Sequence, residues 1–223
     1  MDKESLVKNY HSVLEEIKKY DKDGRVRLLI ATKQQTAEDI NALVGIGADL
    51  IGENKVNELL EKYESYDKRA EVHFIGTLQS NKVKYIVDKV TLIHSVYKTS
   101  QLEEISKRAG KIGKVMDILV EVNSGREENK GGVLPEGVAE FCAFARTFPS
   151  IRVRGLMTMA PKCHSREEYL KYFGLTKEFF DELFSEEENA ILSMGMSDSY
   201  TYAIEAGANL VRVGSKIFGE RKY

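Results

Sequence analysis

Lys33 closes the segment Leu28-Leu29-Ile30-Ala31-Thr32-Lys33, an apolar run that ends in an ammonium costly to desolvate without a partner. Such a side chain either snorkels into solvent or works as an amine nucleophile, since partial burial favours the neutral form that condenses with a carbonyl. A second kind of chemistry is written in two later segments, Leu192-Ser193-Met194-Gly195-Met196-Ser197-Asp198 and Val211-Arg212-Val213-Gly214-Ser215-Lys216. Each runs from a short apolar stretch into small residues. Serine and glycine there let hydroxyl and backbone N–H groups approach a phosphate closely, at helix starts whose dipoles favour an anion. The plainer alternative is that Ser197-Asp198 caps a helix and Gly214 turns a loop; two such segments on one rim weigh against it. Arg212, inside an apolar stretch, needs a buried anion or acceptor, and a phosphate or a pyridine nitrogen would serve.

Other polar residues at the ends of apolar runs carry less. Gly52-Glu53-Asn54 leads into a helical stretch, and Asn54 fits an N-cap. His73, between Val72 and Phe74, reads first as a hydrogen-bonded core histidine, and His94 in Ile93-His94-Ser95-Val96 reads the same way. No His-x-x-x-His pair, Cys-x-x-Cys pair or acidic cluster has convincing metal spacing, and neither a Gly-x-Ser-x-Gly elbow nor a Walker A loop occurs. The common hydrolase and nucleotide-triphosphatase signatures are absent.

The frame that must position these residues repeats itself. Leu6, Val7, Tyr10, Val13, Leu14, Ile17 and Tyr20 recur at helical steps and predict an amphipathic N-terminal helix. Short apolar stretches at residues 27–31, 50–51, 72–75, 92–94, 114–122, 151–156, 191–193 and 210–213 read as strands. Helical patterns lie between them at 37–44, 55–63, 80–87, 99–109, 135–147, 166–184 and 199–206. Alternation of this kind implies right-handed crossovers and a parallel sheet. Eight units in 223 residues fit a closed (β/α)8 TIM barrel with an extra N-terminal helix better than an open, doubly wound sheet. With no composition shift along the chain, residues 1–223 read as one domain.

Composition agrees with an ordinary globular protein: 42% hydrophobic and 30% charged residues, with 33 Lys plus Arg against 35 Asp plus Glu. That balance gives no general attraction to nucleic acid or to an anionic membrane. Three prolines rule out a Pro-rich linker, and no apolar run reaches the ~18 residues that span a bilayer. Cys142 and Cys163 have no metal spacing, and the charged N-terminal stretch does not read as a signal peptide. Reduced thiols and a cytoplasmic location are expected.

Taken in order, Ala31-Thr32-Lys33, Gly52-Glu53-Asn54, His73-Phe74-Ile75-Gly76-x-Leu78-Gln79-Ser80-Asn81-Lys82, Ile93-His94-Ser95-Val96, Arg154-Gly155-Leu156-Met157, Leu192-Ser193-Met194-Gly195-Met196-Ser197-Asp198 and Arg212-x-Gly214-x-x-Ile217-Phe218-Gly219 resemble the pattern of the pyridoxal phosphate homeostasis proteins. The resemblance runs over residues 28–221 and is specific in combination. It implies a barrel of the alanine racemase N-terminal type that holds pyridoxal 5′-phosphate as a Schiff base on Lys33. It also implies that Ser197, Gly214 and Ser215 hold the phosphate, that Arg212 lies beside the cofactor, and that Asn54 and Met157 lie near the ring or phosphate. The family usually has Ser where this chain has Thr32.

An arginine beside the pyridine nitrogen, in place of a carboxylate, disfavours ring protonation and weakens the electron sink. Racemases of this type also draw a second base from an extra β-domain, for which the five residues after Phe218 leave no room. The expectation is therefore a vitamin B6 carrier with little or no turnover, monomeric, whose partners are pyridoxal phosphate and apo-forms of cofactor-dependent enzymes. The alternatives are an amino-acid racemase and a Schiff-base aldolase acting on a sugar phosphate.

Overall fold

The computed structural model describes residues 2–219 and shows a closed barrel of eight parallel strands in sequential order. The strands are β1 (Arg27–Ala31), β2 (Leu50–Glu53), β3 (Glu71–Phe74), β4 (Leu92–Val96), β5 (Met116–Val122), β6 (Ile151–Thr158), β7 (Ile191–Ser193) and β8 (Leu210–Val213). Closure is made by β1 against β8, with Arg27 opposite Leu210 and Ile30 opposite Val213. The open-sheet alternative is thus excluded. Helices α1 (Lys3–Tyr20), α2 (Ala37–Gly45), α3 (Val56–Lys62), α4 (Thr99–Lys111), α5 (Val138–Arg146), α6 (Arg166–Phe184), α7 (Tyr200–Glu205) and α8 (Ser215–Phe218) accompany the barrel.

Strand alternation separates two apolar regions. Leu28 and Ile30 join the large core between sheet and helices, whereas Leu29 packs with Leu50 and Leu210 inside the barrel. Leu92, Leu119 and Met157 fill the other half of the interior. Each fully buried side chain of this kind contributes about 1.5–3 kcal/mol. On β6 the alternation changes phase. Ile118 pairs with Val153 but Leu119 pairs with Gly155, so Arg154 is an extra residue in the strand. Gly155 takes φ +143° there, and a Cβ would press into the Ile191 carbonyl oxygen. Val153 faces the helices, but after the bulge it is Leu156 that does so, and Met157 is turned inward.

Helix α1 begins at Asp2, whose carboxylate accepts the Ser5 N–H at 2.8 Å, and it buries Leu6, Tyr10, Val13 and Ile17. It braces the end of the chain: Asn9 donates to the Ile217 carbonyl at 3.0 Å, and Tyr200 donates to Glu16 at 2.6 Å. The stretch expected as a helix at 80–87 is instead a 3-10 helix, Ser80–Tyr85. Its buried Val83 and the buried Ile86 that follows its last residue stand three apart, a period that suits three residues per turn.

Candidate functional site

The barrel brings the sequence-predicted residues other than Met157 to one rim. A cavity of about 270 Å³ at the C-terminal strand ends is lined by Lys33, Asn54, Ser197, Arg212, Gly214 and Ser215, together with Ala31, Gln35, Ile75, Met159, Met196, Asp198, Phe218 and Gly219. Its size lies close to the lower end of the ~300–1,000 Å³ typical of small-molecule sites. A larger cavity, about 740 Å³, opens between α1 and α6 near residues that precede β1 and β8, so it lies at the opposite end of the barrel. It is lined by charges that largely pair with one another, among them Arg166 with Glu205 and Lys177 with Asp181.

Lys33 stands two residues past the end of β1 and is half-buried, and its Nζ has no hydrogen-bond or ion-pair partner among the described residues. The turn that presents it is held from both sides. Gln34 takes φ +62°, uncommon for a residue with a side chain, and its N–H donates to Glu58 at 2.8 Å. Thr32 donates its hydroxyl to Glu53 at 2.6 Å, with the Gly52 carbonyl 3.0 Å from the same oxygen. Lys62 reaches over from α3, donating to Glu53 at 2.6 Å and to the Thr32 and Gln35 carbonyls at 3.2 Å each. Tyr66 adds a further bond to Glu53 at 2.5 Å, and burial beside that carboxylate pushes its phenol pKa upward. Three donors converge on Glu53 Oε1, while Oε2 is buried without a partner. The lysine of the cavity is thus set on a turn clamped by a buried acid and a second lysine.

Asn54 does not cap a helix as expected. Helix α3 starts two residues later with Lys55 at its N-cap position, and Asn54 lines the cavity instead. Gly76 lies so close to the Asn54 backbone that a Cβ would collide with its carbonyl, so glycine is what lets these two loops meet.

The two small-residue segments also meet. Ser197 Oγ accepts the Gly214 N–H at 3.2 Å, and α7 is preceded by Ser199, not by Ser197-Asp198, so neither of those residues is a cap. A Cβ on Gly214 would stand 3.0 Å from the Ala31 carbonyl oxygen, tight against the strand that carries Lys33.

Arg212 is buried, and its guanidinium is held from behind. Nη1 donates to the Ser193 carbonyl at 2.9 Å and to Ser193 Oγ at 2.6 Å, and Nη2 donates to the Thr158 carbonyl at 3.0 Å. Nε has no acceptor among the described residues. Burial lowers its pKa to about 10, which leaves it cationic at neutral pH.

Met157 is not in the cavity wall. The bulge at Arg154 turns it into the barrel interior with Leu92 and Leu119, and Met159 lines the cavity in its stead. His73 and His94 are buried inside the barrel and hydrogen-bonded to each other at 3.0 Å, as the core reading expected. A buried acid also escaped the sequence reading. Glu121 on β5 is buried, its carboxyl has no hydrogen-bond partner among the described residues, and it lines a small recess with Met159 and Met196. Burial pushes its carboxyl up to about 7, against the pull of the Arg212 charge. A carboxylate inside an apolar run was the signal, the same oddity that marked Lys33. Among the described residues no cluster of His, Cys, Asp and Glu could hold a metal ion, and both cysteines are free thiols.

The alanine racemase N-terminal domain family matches residues 4–222. A pyridoxal phosphate homeostasis protein of Aquifex aeolicus is 46% identical over 219 residues, covering 95% of this chain and 96% of the relative. Among solved structures, an unknown protein of Bifidobacterium adolescentis superposes with a TM-score of 0.91 at 30% identity, covering 98% of this chain and 97% of that one. PipY of Synechococcus elongatus with pyridoxal phosphate bound superposes with a TM-score of 0.83 at 26% identity, covering 96% and 100%.

Proposed function

We propose, for a chain that belongs to the alanine racemase N-terminal domain family and within it to the pyridoxal phosphate homeostasis proteins, that the rim cavity holds the cofactor through Lys33, Arg212, Ser197, Gly214 and Ser215. The protein binds pyridoxal phosphate and serves its homeostasis, and it is a carrier and not a dedicated enzyme. The observation that carries the assignment of residues is a partnerless amine, Lys33 Nζ, sharing one cavity with a partnerless Arg212 Nε and two facing serines.

The donor set fits the group. When bound, pyridoxal phosphate supplies an aldehyde that condenses with a primary amine and a pyridine ring that serves as an electron sink. Lys33 is the amine within the cavity, presented by its clamped turn. The Ser197 and Ser215 hydroxyls and the Ser215 and Lys216 N–H groups, which follow the Gly214 N–H already given to Ser197, are the donors suited to a phosphate. Arg212 is a donor only, so toward a ring nitrogen it gives a hydrogen bond and supplies no carboxylate to keep that nitrogen protonated. Met159 and Met196 offer an apolar wall for the ring face.

Within this reading, residues 1–223 act as one domain and a monomer, working in the cytoplasm and handing the cofactor to apo-forms of dependent enzymes. No described helix is long and apolar enough to cross a membrane. Titrating the unloaded protein with pyridoxal phosphate, followed by absorbance, tests the assignment: one equivalent should bind, and inorganic phosphate should compete. Solvent deuterium exchange at the α-carbon of amino acids should stay near the rate of free cofactor; a rate far above it would favour a racemase.

A further inference from the structure

Arg212 is one end of a buried chain of polar groups that crosses the barrel interior. Ser193 Oγ on β7 accepts from Arg212 Nη1 at 2.6 Å and lies 3.1 Å from His94 Nδ1 on β4. His94 Nε2 lies 3.0 Å from His73 Nδ1 on β3, and His73 Nε2 faces Glu71 at 3.7 Å. Glu71 in turn pairs with Arg27 on β1 at 3.2 Å. The chain therefore runs from the cavity rim to the opposite rim.

Its hydrogen positions follow from its two ends. Arg212 can only donate, and the Glu71 carboxylate can only accept. Burial lowers the pKa of both histidines, against the pull of Glu71 on His73 and with the push of Arg212 on His94, so both rings are neutral. At 3.7 Å His73 Nε2 and Glu71 make no full hydrogen bond, but a ring N–H facing the carboxylate is favoured over a lone pair, which makes His73 Nδ1 an acceptor and His94 Nε2 its donor. His94 Nδ1 is then an acceptor, and it takes the Ser193 hydroxyl hydrogen. Ser193 Oγ is left with lone pairs alone for Arg212. From Arg212 to His73 Nδ1 each donor then meets an acceptor, and the Glu71 charge at the far end favours this direction over its reverse.

We propose, resting on the cavity reading above, that Ser193, His94 and His73 are positioning residues for the cofactor site: their one-way chain fixes Arg212 Nη1 against β7, so that Nε–H and one Nη2–H are the donors left for a ligand. The chain acts through Arg212 and touches no ligand itself.

Nitrogen-15 histidine spectra of the unloaded protein at pH 7 read the hydrogen positions directly. Of the four histidines, His11 and His164 are exposed, and His73 and His94 should both be neutral Nε2–H tautomers. An Nδ1–H tautomer or a charged ring at either site would overturn the chain. Ser193→Ala should weaken pyridoxal phosphate binding about tenfold, the loss of one hydrogen bond to a charged group. The same substitution made in an Arg212→Gln background should add nothing. Equal losses in both backgrounds would mean that Ser193 does not work through Arg212. A wild-type protein that takes up no pyridoxal phosphate would overturn the cavity reading instead, while the tautomers still decide the chain.

Discussion

Ser197 Oγ and the Gly214 N–H, 17 residues apart in sequence, form a 3.2 Å hydrogen bond that joins the two small-residue segments of the rim. The pair shows a hydroxyl and a backbone donor already facing each other where an anion would be received. Ser197→Ala should weaken pyridoxal phosphate binding by roughly tenfold, the scale of one hydrogen bond to a charged acceptor. Pyridoxal without its phosphate should bind the variant and the parent equally. Equal weakening of both ligands, measured by spectral titration, would place Ser197 elsewhere than at the phosphate.

Lys62 and Glu53 form a buried pair at 2.6 Å, with Glu53 fully enclosed. Lys62→Met strips the cation from that carboxylate and from two carbonyls of the Lys33 turn. A loss of about 3 kcal/mol is expected in urea denaturation. Adding Glu53→Gln to the same chain should recover part of it, because no unpaired charge is then buried. Strictly additive losses would contradict the clamp.

How far the sequence foretold this site depends on how local each cause is. The spans expected for β1, β7 and β8 match the structure residue for residue, because their limits are set by apolar runs meeting turn residues. Lys33 and Arg212 were legible for the same reason: each is a charge misplaced in an apolar run. Met157 was not, because its orientation depends on an extra residue, Arg154, that slips the β5–β6 register. Asn54 looked like a cap because its type suits one, and only the packing of Gly76 against its backbone shows that it belongs to the rim. The clamp of Thr32, Glu53, Lys62 and Tyr66 joins four positions that no single periodicity links.

Glu121 imposes a pH dependence of definite sign. Burial raises its carboxyl from the ordinary 4.5 to about 7 in the folded chain, so the native state binds the extra proton between those values. Stability should fall as pH rises from about 4.5 through about 7, by on the order of 3 kcal/mol, and level off above. Glu121→Gln should remove that slope and be the more stable protein at pH 8. Denaturation at pH 5 and pH 8 distinguishes the outcomes, and an unchanged slope in the variant would assign the effect to another group.

The thiols should separate by burial. Desolvation pushes Cys142 up to about 12, whereas Cys163 is only half-buried. A thiol reagent at pH 8 should label Cys163 quickly in the native protein and Cys142 only on unfolding. Fast labelling of both would show that α5 opens more readily than its packing implies.

Borohydride reduction of the protein loaded with pyridoxal phosphate, followed by peptide mapping, bears most directly on the assignment of Lys33 as the amine. The stable adduct should map to Lys33 and vanish in Lys33→Ala, which should keep a weaker, phosphate-dependent binding because the anion contacts stand apart from the amine. An adduct on another lysine of the wild-type chain, with Lys33 unmodified, would contradict it.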